Sequence, residues 1–342
     1  MPNAIKSIWA AIEKYHDGET LMASRRATAT DIVDCYRVFF EREPESAAVI
    51  ETHLATKPTL SEFLQRVITV PEFAWVGTQA FTSFAWNPSL YRRIDVTGSA
   101  SDVDALVEHT RKVWNGYGDQ DPFWSVLTNE KYRASSIGQS DIDEFYATGE
   151  IDCRVMLELI ARVGLSLPPN STALDLGCGL GRIGEHVSKH VKTYVGVDIS
   201  SPHLRQANER FKYLRRNNAR FMLLPQMLEA DLKVDLAFSL ITLQHNPPPV
   251  IALLIDRLCK LLKQGGIVYF QVPVALTGYE FNLKDYVASP PTHGHMEMHA
   301  IPQREVYRLF EENDCQLIEA LPDTRIGAIG LSYSFIAQKR IR

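Results

Sequence analysis

Leu174-Asp175-Leu176-Gly177-Cys178-Gly179-Leu180-Gly181-Arg182 is the stretch on which the reading of this chain turns. A strand pattern over 172–176 runs into it and a helical pattern over 182–190 leaves it. Glycines at such a junction let the backbone turn tightly and approach a ligand with no Cβ in the way. The helix start beyond offers free N–H groups and a partial positive charge. Working outward, a helix is predicted over 151–163, then strands over 193–197, 219–224, 234–240 and 267–272, with helices over 202–213 and 250–262. A helix near 303–313 precedes two last strands, 315–321 and 331–338, close enough in sequence for an antiparallel hairpin. Strands alternating with helices of this length predict an α/β fold, a mostly parallel sheet covered on both faces.

Two ligand classes use a glycine loop of this kind. The dinucleotide fingerprint is G-x-G-x-x-G, and Arg182 stands where its third glycine would be. The spacing Gly177-x-Gly179-x-Gly181 after Asp175 instead resembles motif I of the class I, Rossmann-like, S-adenosylmethionine-dependent methyltransferases. The resemblance covers about 141–339 and implies that family's seven-stranded sheet, preceded here by a small helical domain. It implies S-adenosyl-L-methionine as cofactor, with Asp175 near the methionine amino group. Gly177, Cys178, Gly179 and Gly181 would border its carboxylate and ribose. Tyr194-Val-Gly-Val-Asp198 is a strand ending in an acid, 23 residues after Asp175. A carboxylate there can accept both ribose hydroxyls; alternatively it caps the next helix. The same resemblance adds Ile199 after that acid and Leu240 at the exit of the fourth strand to the cofactor-lining set. Many relatives place an acid near the adenine at the third-strand exit; this chain has Gln226, whose amide is the candidate there. Tyr146, ahead of the first strand, either meets the methionine end or packs in the core.

Methyl transfer needs mainly a positioned acceptor, and an alcohol acceptor gains from a general base, for which histidine suits neutral pH. His245 follows the fourth strand, at the sheet edge where ligands bind in such folds. The stretch His293-Gly-His295-Met-Glu297-Met-His299 holds three of the ten histidines, and alternation puts all four polar side chains on one face if it is extended. Such a set can ligate a transition metal, but no spacing in it is diagnostic. It is read as an acceptor-site segment without metal, with His295 and His299 as rivals to His245 for the base.

Upstream, 1–76 reads as a helical accessory domain, 77–140 as an aromatic linker or lid, and 141–342 as the methyltransferase domain. In the linker a helix is predicted over 101–114 with Ser101 as its cap, and Gly116 and Gly118 as turns. Arg42-Glu-Pro44 and Pro71-Glu-Phe73 resemble landmarks of a small helical module fused to methyltransferases and glycosyltransferases in bacterial surface-polysaccharide clusters. That resemblance implies O-methylation of a saccharide or surface-glycan intermediate, and the module's helices are a candidate for oligomerisation. The alternatives are another small metabolite, methylated at oxygen or nitrogen, or a non-catalytic adaptor that keeps the fold. A net charge of −5 argues against a nucleic-acid partner. No apolar run is long enough to span a bilayer, and no secretory leader is recognisable. Five dispersed cysteines without C-x-x-C spacing read as free thiols of a cytoplasmic protein.

Overall fold

The computed structural model describes residues 25–39, 43–68, 92–291 and 296–341. The chain divides into two compact units, Met1–Asn87 and Pro88–Arg342.

In the first unit, helices α1 (Ala29–Phe39), α2 (Ala47–Leu54) and α3 (Leu60–Ile68) surround a small core that includes Ile32, Cys35, Tyr36, Phe63 and Val67. Thr59 and Glu62 start α3 by exchanging hydrogen bonds: each side chain accepts the other's backbone N–H, at 3.2 and 2.8 Å. Of the module landmarks, Arg42 and 71–73 lie outside the described residues.

The second unit begins with helices α4 (Ala100–Gln120), α5 (Pro122–Val126) and α6 (Gln139–Arg162). The linker is therefore far more helical than its composition implies. α4 is capped by Ser99, not Ser101: Ser99 accepts the Asp102 N–H, and Asp102 accepts the Ser99 N–H in return. Gly116 and Gly118 are not turns but lie inside α4. Gly118 is there for close approach, since a Cβ would come within 2.7 Å of Ser200 Oγ and 2.8 Å of the His203 ring.

The remaining elements alternate. They are β1 (Thr172–Leu176), α7 (Gly184–Val187), β2 (Thr193–Asp198), α8 (Ser201–Tyr213), β3 (Ala219–Leu223), α9 (Leu224–Glu229), β4 (Val234–Ser239) and α10 (Pro248–Leu261). Then come β5 (Leu262–Leu276), α11 (Leu283–Ala288), α12 (Gln303–Glu312), β6 (Cys315–Asp323) and β7 (Gly330–Lys339). They build a seven-stranded sheet in the order β3-β2-β1-β4-β5-β7-β6, parallel except for β7, which is antiparallel to both neighbours. This is the seven-stranded, mostly parallel sheet that the resemblance implies, with the predicted terminal hairpin inserting β7 beside β5.

Side-chain alternation fills both faces. Leu174, Leu176, Val195 and Val197 pack toward α10, while Ala173, Tyr194, Leu236 and Phe238 join the core that holds Met156 and Ile160 of α6. β5 starts five residues earlier than its apolar run implies. Leu262 pairs with Val234 and Ile267 with Leu236, so 263–266 bulge out through Gly265 (φ 75°) without ending the strand. The strand order reverses between β1 and β4, and a crevice opens beyond their C-terminal ends. Among the described residues, no helix is long and apolar enough to cross a membrane.

Candidate active site

Beyond β1 the glycine loop is tied to β2, because the N–H groups of Gly177 and Cys178 both donate to the Val197 carbonyl, at 2.7 and 2.9 Å. Gly177 has φ 78°, and a Cβ there would sit 2.1 Å from Thr242 Cγ2. Both facts demand glycine. Asp198 braces the loop from below: one carboxylate oxygen accepts the Gly179 N–H and the other the Ser200 N–H, each at 2.8 Å. Asp198 is not the cap of α8; that is Ser200, whose side chain accepts the His203 N–H.

Asp175 has a different setting. It is 3% exposed and accepts one hydrogen bond, from the Tyr194 hydroxyl at 2.8 Å. Burial pushes its pKa up to about 7; Tyr194 and the Arg182 charge pull against this, and the neighbouring Asp198 adds to it. A carboxyl titrating near neutrality is poised to ionise when a cation arrives.

Asp175, Gly177, Cys178, Gly179, Asp198, Ile199 and Leu240 all line one cavity of about 310 Å³. Three other residues of the candidate cofactor set do not line it. Gly181 turns away, and a Cβ there would meet the Phe211 ring of α8 at 2.8 Å. Tyr146 is buried among Phe123, Tyr132 and Phe145, donates to the Leu180 carbonyl at 3.4 Å and carries the Arg210 guanidinium 3.9 Å above its ring. It packs beneath the loop, and burial pushes its phenol up to about 12. Gln226 is exposed, and its amide oxygen accepts the Leu223 N–H at 2.8 Å, capping α9. Leu224 lines the cavity near that point instead.

The cavity also has walls that no motif announces: Thr110 and Trp114 of α4, Ser125 to Thr128 around the end of α5, Thr242, Met296, Met298 and Arg325. Only the abundance of aromatics in the linker hinted at a cover.

His245 fronts the cavity beside Trp114, ring centroids 5.3 Å apart. Its Nδ1 lies 2.8 Å from the Glu297 carbonyl. A carbonyl only accepts, so Nδ1 carries the proton and Nε2 is the free base. Nε2 lies 3.2 Å from the Gln244 amide nitrogen, which donates to it, and the Gln244 oxygen accepts in turn from Gln271 at 3.2 Å. Burial lowers the His245 pKa to about 4 against the bond to Glu297, and His299 lowers it further. At neutral pH the ring is uncharged.

His299 does not line the larger cavity. Its Nε2 donates to the Glu297 carboxylate at 3.1 Å, and its Nδ1 accepts from the Tyr279 hydroxyl at 2.8 Å. Tyr286 also donates to Glu297, at 2.9 Å, and His109 lies 3.4 Å from it. Burial works to raise the Glu297 pKa, but the bonds from His299 and Tyr286 outweigh it, and the carboxyl is held below its usual value. Glu297 and His299 face a small cleft that Trp114, His245 and Met296 share with the larger cavity. His293 and His295 lie outside the described residues. Among the described residues no group of three His, Cys, Asp or Glu side chains is arranged to hold a metal ion.

Comparison with known proteins fits this geometry. Residues 174–268, from the glycine loop into β5, match the family model described as a methyltransferase domain. No curated protein matches the chain. Solved structures similar to it include the magnesium protoporphyrin IX methyltransferase of Synechocystis PCC 6803 with bound S-adenosylhomocysteine, at 16% identity, covering 68% of this chain and 99% of that one (TM-score 0.48). Another is the N-methyltransferase NodS of Bradyrhizobium japonicum WM9, at 14% identity, covering 69% and 99% (TM-score 0.44). A third is a S-adenosylmethionine-dependent methyltransferase of Clostridium acetobutylicum ATCC 824, at 12% identity, covering 55% and 91% (TM-score 0.42). The segment 174–268 is thus similar to a methyltransferase domain.

Proposed function

We propose that the chain is an S-adenosylmethionine-dependent methyltransferase that methylates an oxygen of a saccharide or surface-glycan intermediate. One observation carries the cofactor reading: two carboxylates at adjacent strand ends, Asp175 and Asp198, open into the same cavity as the Gly177–Gly179 backbone. The residues fit the group. Asp175 offers a buried carboxylate for an ammonium, Asp198 a carboxylate beside the loop for ribose hydroxyls, and Ile199, Leu224 and Leu240 apolar walls for a base. Arg182 lines the same cavity with a buried, unpartnered Nε–H. Bound there, the cofactor supplies a methyl group on a sulfonium, already activated for displacement. The chain's own task is to orient an acceptor and take its proton. His245 is the base in this reading: it fronts the cavity with a neutral ring and an unprotonated Nε2. His299 lies behind it, and its role is to hold Glu297, whose carbonyl fixes the His245 tautomer. The Trp114 ring supports a sugar face, and the module landmarks in the first unit support a glycan context.

A second reading is favoured by the low basicity of His245. A base near 4 is weak, and an amine attacks without prior deprotonation, so N-methylation of a small amine stands beside O-methylation. Calorimetric titration with S-adenosylmethionine and S-adenosylhomocysteine, with NADH as control, tests the cofactor. Binding of NADH alone refutes the reading. Transfer of a carbon-13 methyl to nucleotide sugars, glycan oligosaccharides and their amino derivatives then separates O- from N-methyl products by chemical shift.

A further inference from the structure

Asp152, on α6, sits between two guanidinium groups. It accepts from an Nη of Arg182 and from an Nη of Arg325, each at 2.7 Å. Arg325 belongs to the connection between β6 and β7, far from the glycine loop in sequence, yet it lines the same cavity as Asp175 and Arg182. Arg182 is 4% exposed; its other Nη donates to Thr148 at 3.1 Å, and its Nε is buried without an acceptor. On the same hairpin, Asp323 is engaged by the Ser334 hydroxyl and the Arg325 backbone N–H, at 3.0 and 3.1 Å. Two cations thus share one carboxylate. Beside them Asp175 is the carboxylate that meets an ammonium. An excess cation next to a buried carboxylate that has a phenol but, among the described residues, no ion-pair partner is the complement of an amino-acid zwitterion.

Resting on the cofactor reading above, we propose that Arg325, braced through Asp152 against Arg182, binds the carboxylate of the cofactor's methionine end. The terminal hairpin then belongs to the cofactor site, and the site selects for the whole amino-acid group, discriminating against adenine thioethers that lack the carboxylate. Arg182, being more deeply buried and already bonded to Asp152 and Thr148, positions Arg325 and offers its Nε–H as a second donor.

The test is calorimetric binding of S-adenosylhomocysteine and of its decarboxylated analogue, which keeps the amine on a propyl chain. Wild-type protein should bind the full compound at least about tenfold more tightly, since a charge-assisted hydrogen bond is worth roughly that or more. Arg325→Met should weaken S-adenosylhomocysteine about ten- to a hundredfold and leave the analogue within about twofold, with Arg325→Lys between. Equal affinity of the wild type for the two compounds overturns the proposal while leaving the cofactor reading intact, and this comparison needs no variant to fold. Equal losses for both compounds in Arg325→Met also overturn it. No binding of either compound to the wild type overturns the cofactor reading itself, and this proposal with it.

Discussion

Replacing Asp175 by Asn should make the cofactor-free protein more stable at alkaline pH and a poorer binder of cofactor. Asp175 is buried with one phenolic donor, and its pKa stands at about 7. An aspartate in the unfolded chain titrates near 3.9. The folded protein therefore holds an extra proton between about 4 and 7. The advantage of the protonated form is fully present below about 4 and is lost as pH rises through 7. Above that, ionising the buried carboxyl costs about 4 kcal/mol. Asparagine keeps the shape, can accept the Tyr194 hydrogen bond and never ionises. Between pH 5 and pH 8 the variant should gain about 3 kcal/mol on the wild type, or roughly 6 to 10 °C in melting temperature for a unit of this size.

Binding should show the opposite trend. A cofactor ammonium needs the carboxylate, so wild-type affinity for S-adenosylhomocysteine should fall about tenfold for each pH unit below 7. Asp175→Asn should bind weakly and without that slope. Melting curves and calorimetry at pH 5 to 9 read both effects. A variant that gains no stability at pH 8, or a wild-type affinity flat from pH 5 to 7, refutes the argument that Asp175 is held protonated for a cationic ligand.

Three more outcomes follow from the same geometry. Tyr194→Phe removes the hydrogen bond that favours the Asp175 carboxylate, so the pH midpoint of S-adenosylhomocysteine binding should rise by about one unit; an unmoved midpoint contradicts the pairing. Gly177→Ala must place a Cβ against Thr242 at positive φ, and should cost about 3 kcal/mol in denaturant unfolding; a loss below about 1 kcal/mol would show that the loop can shift. His245→Gln should lower kcat about a hundredfold with S-adenosylhomocysteine affinity unchanged; kcat within threefold of wild type, roughly 0.6 kcal/mol, removes His245 as base and favours an amine acceptor.

What the sequence disclosed and what it hid divide along physical lines. The strands were legible because a sheet covered on both faces needs continuous apolar runs. The glycine loop was legible because backbone conformation itself demands glycine there. Side chains whose partners lie far along the chain were not. Gln226 looked available for a base, but its amide caps α9, a local bond three residues away. Tyr146 packs beneath the loop. Trp114 and Thr110 reach the cavity from α4, whose length was concealed by Gly116 and Gly118; Gly118 fits a helix because the start of α8 lies too close for a Cβ, whereas Gly116 has open space beside it. Arg325 and Asp152 come together across most of the domain, with no spacing to announce them.

The two acids show why motif and role separate. Asp175 and Asp198 end adjacent parallel strands and carry the same chemistry, and only the resemblance assigns one to the methionine amino group and the other to the ribose. Folding gives them different donors. Asp198 receives two backbone N–H groups, from the glycine loop and the start of α8, and its charge is matched by fixed dipoles whether or not a ligand is present. Asp175 receives one phenol, and burial outweighs both that bond and the more distant Arg182 charge, so its charge is poorly matched within the protein. A loop built only for stability would not retain such a carboxyl, since asparagine would serve the Tyr194 bond without the cost of ionisation. The retained cost has a reason only if a cation enters the cavity. On the proposed reading that cation is the ammonium of an amino acid, and this is the physical ground for preferring a methionine-derived cofactor to a dinucleotide beside this glycine loop.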